Sequence, residues 1–352
     1  MLYPLKFKPL FKDYIWGGRN LAMLGKSLPE EGIVAESWEV ACHKNGSSIV
    51  ANGAYEGTSL PDMIAKFGRK LIGASVYQTD FSRFPLLVKL IDAENNLSVQ
   101  VHPDDAFAFV NENGECGKNE MWYIISAKPG AKIVYDVVPG TTRESFAEAV
   151  MENDVARCLN SVEVHPGDII NIPAGTVHSI GKGIILAEVQ QNSDATYRVY
   201  DYGRIGRELH IDKALKVINF NMAGRKNKYT GIELALSSGC TRRIAVANNY
   251  FCTEVYNING TISDISNGSR FYIYVFITGN GYMIWDSGKM TVNAGESVLI
   301  PAALGKYKLT GELTALKIYK PNLSEDVLQP LIMADIPKEI IFTEIAGLQH
   351  TT

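Results

Sequence analysis

The apolar residues of this chain come in short runs of Val, Ile, Leu, Tyr and Phe, closed again and again by Gly, Pro or Asn. Such runs occupy 34–40, 84–91, 121–126, 132–137, 169–172, 184–189 and 196–200. Branched and aromatic side chains suit a pleated, half-buried surface, and turn residues at this spacing leave little room for long helices. The pattern predicts a mainly β protein of the sandwich or barrel kind. Helices are fewer. Thr58-Ser59-Leu60-Pro61-Asp62 supplies cap residues and an early Pro, with Leu60, Met63, Ile64 and Phe67 at helical spacing. Thr141-Thr142-Arg143-Glu144 has capping-box spacing, with Phe146, Ala149 and Val150 on one face. Shorter helices are expected at 104–111 and 212–218. Small helical insertions at about 57–75 and 141–160 therefore interrupt the N-terminal part.

The texture changes after Asn219. Ala223-Gly224-Arg225-Lys226-Asn227-Lys228 is a polar link, and 229–352 is strand-rich, with Gly279-Asn280-Gly281 reading as a hairpin turn. Two units are expected, 1–225 and 226–352. An internal repeat relates them. Gly167-Asp168-Ile169-Ile170-Asn171-Ile172-Pro173-Ala174-Gly175-Thr176-Val177-His178 and Gly295-Glu296-Ser297-Val298-Leu299-Ile300-Pro301-Ala302-Ala303-Leu304-Gly305-Lys306 share Gly, Pro and a small residue at identical positions. The final His of the first copy is Lys in the second. This is the pattern of a repeated fold that keeps a metal-binding residue once.

Composition excludes several classes. Against 34 Lys+Arg stand 38 Asp+Glu, a net charge of −4, so no basic excess awaits nucleic acid or an anionic membrane. At 46% apolar over 352 residues the chain can bury a large core. No apolar stretch is long enough to span a bilayer, since 84–91 is broken by Lys89, and Met1–Phe7 lacks the layout of a secretion signal. The cysteines, 42, 116, 158, 240 and 252, are odd in number and lack C-x-x-C spacing. That disfavours a disulfide framework or a Cys-based zinc site and fits thiols in a reducing cytoplasm.

Three segments carry the chemistry. In Leu97-Ser98-Val99-Gln100-Val101-His102, strand alternation puts Ser98, Gln100 and His102 on one face and the valines on the other. Polar residues sharing a face suit a metal, and an exposed strand face would look similar, with the valines turned outward. In Gly117-Lys118-Asn119-Glu120-Met121-Trp122, Glu120 opens an apolar strand. A carboxylate there needs a cation, either Lys118 or a metal. In the 167–178 run a tight turn precedes His178. Together Gln100, His102, Glu120 and His178 form an N/O ligand set suited to Zn²⁺ or a similar divalent ion. With one anionic ligand the ion would keep a charge near +1 and could polarise a substrate oxygen.

These Gln-x-His, Gly-Lys-x-Glu and Gly-x5-Pro-x-Gly-x2-His segments resemble the cupins. More narrowly the chain is similar to the type I mannose-6-phosphate isomerases in their short bacterial form. Asp13–Gly18, Glu36-Ser37-Trp38-Glu39, Phe84–Leu90, 97–105, 117–123 and 190–204 carry that resemblance, which covers most of the first 220 residues. The resemblance implies two cupin or jelly-roll-like β domains, the first catalytic and the second degenerate. It implies one zinc ion per chain on Gln100, His102, Glu120 and His178, and an active-site arginine at Arg198. The implied reaction interconverts mannose 6-phosphate and fructose 6-phosphate through an enediol(ate), in the cytoplasm. Arg198 stabilises the enediolate or holds phosphate. Glu188 and Lys118 are candidates for the general base and a phosphate contact, and Ser98 for a donor to substrate oxygen or phosphate. The expected partner is a phosphorylated hexose, with no nucleic acid and no membrane, and no oligomeric state is read from the sequence. Two other readings compete: a non-catalytic sugar-phosphate-binding cupin acting as sensor or partner subunit, and a cupin metal oxygenase. The amide ligand suits the oxygenase's iron site poorly.

Overall fold

The computed structural model describes residues 1–79 and 84–348. It is mainly β, built as three layers of antiparallel sheet with helices outside. One sheet runs Leu159–Glu163, Lys132–Val137, His178–Ile180, Val99–Val101, Tyr197–Tyr200. A second runs Ile169–Ile172, Glu120–Ala127, Ile184–Gln191, Leu86–Ala93, Glu36–Val40, Leu10–Lys12. These two face each other. Ile91, Trp122, Ile124, Ile172 and Leu186 from the six-stranded sheet share one core with Ile133, Tyr135 and Ile180 from the five-stranded sheet.

The other face of the six-stranded sheet is also covered. Leu86, Val88, Leu90, Met121, Ala187 and Val189 pack with Val255, Ile273, Val275, Leu316 and Ile318 of the C-terminal sheet. With both faces buried, Leu86–Ala93 and Ile184–Gln191 are buried at every position, as a central strand between two layers must be. Alternate residues of the C-terminal strands, Tyr274, Phe276, Leu309 and Ala315 among them, line that unit's own interior.

Several expectations differ from the molecule. Val99 and Val101 do not face solvent. They pack under Phe146 and Ala149 of the helix Arg143–Met151 and Ala214 of the helix Ile211–Val217. The capping box of Arg143–Met151 lies one residue later than its spacing suggests, with Thr142 as cap and Ser145 as its reciprocal partner. Gly279-Asn280-Gly281 is not a hairpin turn. It sits inside the strand Tyr272–Trp285, paired on both sides. A Cβ on Gly279 would stand 1.9 Å from the carbonyl oxygen of Glu312, and its φ is +75°, so the glycine serves a kinked strand rather than a turn. The C-terminal third also ends in helices, Gln329–Met333 and Lys338–Glu344, which bury Leu331 and Ile341 against Ile244, Cys252 and Tyr319.

The repeat is visible as structure. Ile169–Ile172 and Ser297–Ile300 are strands at the same four positions of their copies. One pairing has no local signal: Leu5–Lys8, at the chain's start, pairs with Ser297–Ile300 and with Ile49–Val50. None of the five cysteines, 42, 116, 158, 240 and 252, forms a disulfide among the described residues. No helix among the described residues is long and apolar enough to cross a membrane.

Candidate active site

Between the five- and six-stranded sheets, alternation turns one face of each strand inward. His102 follows the strand Val99–Val101, Glu120 opens Glu120–Ala127, and His178 opens His178–Ile180. The register pairs His178 with Gln100 and Gln100 with Arg198 on adjacent strands. One ligand atom from each of His102, Glu120 and His178 lies within 4.8 Å of the others, and all three side chains are buried. His102 Nε2 is 3.2 Å from Glu120 Oε1 and His178 Nε2 is 3.6 Å from Glu120 Oε2.

The hydrogen bonds around the imidazoles fix their tautomers. His102 Nδ1 lies 2.9 Å from the Ala195 carbonyl oxygen, and His178 Nδ1 lies 2.9 Å from that of Thr176. A carbonyl only accepts, so each Nδ1 carries the hydrogen and each Nε2 turns a lone pair toward Glu120. His178 Nε2 and both Glu120 oxygens are buried without an aligned hydrogen bond. Burial, then Lys118, brings the His102 pKa down to about 3, and burial also lowers His178. Burial alone would raise Glu120, but Lys118 and His102 hold it well below the usual carboxylate range. Two neutral imidazoles and a carboxylate aimed together, with the His178 Nε2 lone pair and both Glu120 oxygens free of hydrogen bonds, fit a divalent metal ion. Lys118 Nζ stands among them, 2.7 Å from Glu120 Oε1 and 3.1 Å from His102 Nε2.

Beside this cluster opens a cavity of about 250 Å³. Its lining includes Ser98, Gln100, Lys118, Glu188 and Arg198, so every residue singled out from the sequence lies on the cavity or in the adjoining cluster. Glu188 is buried, not a strand-face acid in solvent. Its Oε1 is 2.9 Å from Lys89 Nζ and its Oε2 accepts from Trp122 Nε1 at 3.1 Å. Burial and the nearby Glu120 raise its pKa, against the pull of Lys89. Burial works against the Lys89 charge, but Glu188 and Glu36 together hold its pKa above the ordinary value. Arg198 donates through an Nη to the Glu208 carbonyl at 2.7 Å, while its Nε is buried without a partner. Burial and the neighbouring Arg207 lower its pKa.

Sequence reasoning missed Lys89, Glu36, Trp38 and Arg207, which also line the cavity. Lys89 had a readable signal: it is the one cation in an apolar strand, and a charge at such a place needs a partner. Trp38, which donates through Nε1 to Glu36 Oε2 at 2.7 Å, lay in a matched segment without an assigned role.

Two facing sheets around a buried chelating His-Glu-His set define a metal-binding protein of the cupin class. Residues 4–124 match the family described as phosphomannose isomerase type I, catalytic domain, and residues 241–320 match mannose-6-phosphate isomerase, cupin domain. Mannose-6-phosphate isomerase ManA of Bacillus subtilis (strain 168) is 40% identical over 88% of this chain and 96% of its own length. A mannose-6-phosphate isomerase of Streptococcus mutans is 34% identical over 89% of this chain and 97% of its own. The crystal structure of the Bacillus subtilis mannose 6-phosphate isomerase superposes with a TM-score of 0.80 at 33% identity, covering 90% of this chain and 99% of that one. The chain belongs to the type I phosphomannose isomerases, a metal-dependent family.

Proposed function

We propose that this chain interconverts mannose 6-phosphate and fructose 6-phosphate as a cytoplasmic aldose–ketose isomerase. It carries one zinc ion on Gln100, His102, Glu120 and His178 within a catalytic unit 1–225, with 226–352 as a degenerate partner unit. The observation that carries the reading is the convergent, buried His102–Glu120–His178 set adjoining a cavity that also holds Glu188 and Arg198. Bound zinc supplies Lewis-acid polarisation of a substrate oxygen.

The chain's own residues account for the rest. Moving a proton between C1 and C2 needs a base that is ionised yet willing to be protonated. Glu188 suits that task, because burial raises its pKa while Lys89 favours the ionised carboxylate. Trp122 fixes its Oε2, leaving Oε1, beside Lys89, as the atom that takes the proton and returns it. Negative charge developing on oxygen is met by Arg198, whose partnerless Nε has a hydrogen to give. The same guanidinium fork also suits phosphate. Lys118 and Ser98 line the cavity as donors to substrate oxygen or phosphate. The partner is a phosphorylated hexose, with neither nucleic acid nor membrane involved.

The test is a coupled assay on mannose 6-phosphate together with metal analysis of the purified protein. Turnover with about one zinc per chain supports the reading. Sugar-phosphate binding without turnover overturns it in favour of a sensor. Arg198→Ala should keep the metal and cut turnover by orders of magnitude, and near-normal turnover would remove Arg198 from its role.

A further inference from the structure

One wall of the cavity carries polar groups that proton transfer between C1 and C2 leaves idle: His43, Asn45 and Asp194. His43 ends the short strand Cys42–His43, and Asp194 lies on the segment leading into Tyr197–Tyr200. The backbone N–H of Asn45 donates to His43 Nδ1 at 3.1 Å. That bond makes Nδ1 an acceptor, so in the neutral ring Nε2 carries the hydrogen. Burial lowers the pKa of the ring, which favours this neutral form. The ring is buried and held edge-on to Trp38, centroids 5.7 Å apart. Asp194 is held too: Asn45 Nδ2 donates to its Oδ2 at 2.9 Å, and Lys44 Nζ lies 3.2 Å from its Oδ1.

A rigid donor and a rigid acceptor therefore share this wall, and they do not bond each other. His43 Nε2 is 4.0 Å from Asp194 Oδ2, beyond hydrogen-bond reach. One oxygen making two bonds of about 2.8 Å at roughly a right angle spans that gap. The group that fits must accept one hydrogen bond and donate another. A hydroxyl does both, while an ammonium only donates and a carboxylate or fully ionised phosphate only accepts. Charge sorts the ends of the substrate in the same sense. Asp194 repels a phosphate, whereas Arg198 and Arg207, on the same cavity, attract one.

We infer that His43, Asn45 and Asp194 form a hydroxyl-reading subsite that takes a sugar hydroxyl at C3 or C4 between His43 Nε2 and Asp194 Oδ2, setting which hexose phosphate is accepted. The inference rests on the isomerase reading above. Asn45 is a positioning residue, since it fixes both the His43 tautomer and the Asp194 carboxylate. His43 and Asp194 touch the substrate.

The experiment measures kcat/KM for mannose 6-phosphate and its 3-deoxy and 4-deoxy analogues in the wild type, Asp194→Ala and His43→Phe, all metal-loaded. Asp194 has a side chain 39% exposed, so its removal leaves the fold intact and decides the matter even if the His43 variant does not fold. Both variants are expected to lose about 10- to 100-fold on mannose 6-phosphate, with metal content unchanged. One deoxy analogue should be poor for the wild type yet no poorer for Asp194→Ala, because the two deletions remove the same bond. Variant values within about twofold of wild type, or fully additive losses for both analogues, overturn the subsite. Absence of turnover in the wild type would instead overturn the isomerase reading and is seen before any variant is made.

Discussion

In the N-terminal barrel Ile172 pairs with Glu120, and Glu188 lies between Trp122 and Lys89 on its two neighbouring strands. In the C-terminal sheet Ile300, at the same place in the repeat, pairs with Tyr272, and Lys317 lies between Tyr274 and Glu254. The strand positions correspond and the charges are exchanged. Where the first unit has a carboxylate facing a lysine, the second has a lysine facing a carboxylate. The candidate ligand positions are replaced as well, Glu120 by Tyr272 and His178 by the exposed Lys306. Inside the second barrel Lys317 Nζ lies 2.5 Å from Asp264 Oδ2, and the Tyr307 hydroxyl donates to the same oxygen at 2.7 Å. One barrel thus closes its polar interior with a cation tethered to its own backbone. The other holds Lys118 2.7 Å from Glu120 Oε1 and leaves His178 Nε2 without a hydrogen bond. The same architecture thus carries a lysine-centred polar interior in one unit, and in the other a His-Glu-His group able to hold a metal ion beside Lys118.

The sharpest way to break this comparison is to remove a ligand from the first barrel. His178→Ala should strip the metal and lower kcat/KM by more than a hundredfold, given that even supporting groups around a metal cost 10- to 100-fold. Metal analysis beside the assay checks it, and a variant that keeps its metal would take His178 out of the site. Next, Lys317→Met should destabilise the protein by about 1–3 kcal/mol, since it leaves the half-buried Asp264 without its cation. Urea unfolding measures the loss, and turnover per folded molecule should stay at the wild-type value.

The two interiors should also answer pH differently. In the metal-free protein His102 titrates near 3 when folded against an ordinary 6.5. Between those values the unfolded chain binds a proton that the folded chain refuses, so stability falls as pH falls, by about 1.4 kcal/mol per unit. Lys317 works the other way. Burial opposes its charge, but Tyr256, Tyr274 and Asp264 raise its pKa well above 10.5. Its contribution is complete below that value and is lost only as pH climbs through the raised one. Asp264, lowered from 3.8 by Lys317 despite burial, contributes at all pH values above that. Unfolding of the metal-free chain at pH 7.5, 6 and 5 should therefore show a slope that His102→Gln reduces and Lys317→Met leaves in place. The smallest effect is expected for Lys306→Ala, the counterpart of His178→Ala. Stability within about 0.5 kcal/mol of wild type and unaltered activity are the expected results.

Much of this was legible because it is local. The strands at 132–137 and 169–172 have the bounds their composition suggests, and Ser59 caps the helix Leu60–Phe67 as its spacing implies. The polar residues of the site could be read because Gln, His and Glu on an apolar strand are costly unless something receives them. What was hidden depends on layers. Val99 and Val101 look like outward valines until the helices at 143–151 and 211–217 are laid over them. Lys89 looks like a mere interruption until Glu188 and Glu36 are brought beside it from other strands. The charge exchange between the barrels is invisible in the repeat itself, since Lys317 and Glu254 fall outside the matching run and are related only through strand register.

The strand Leu5–Lys8 bears on how the molecule is made. It is synthesised long before its partner Ser297–Ile300. Until then it can pair only with Ile49–Val50, and the apolar face of the sheet it will join does not yet exist. Completion of that sheet thus waits on a segment made much later, and a change that disrupts Leu5–Lys8 would be felt far away in sequence, at Ser297–Ile300.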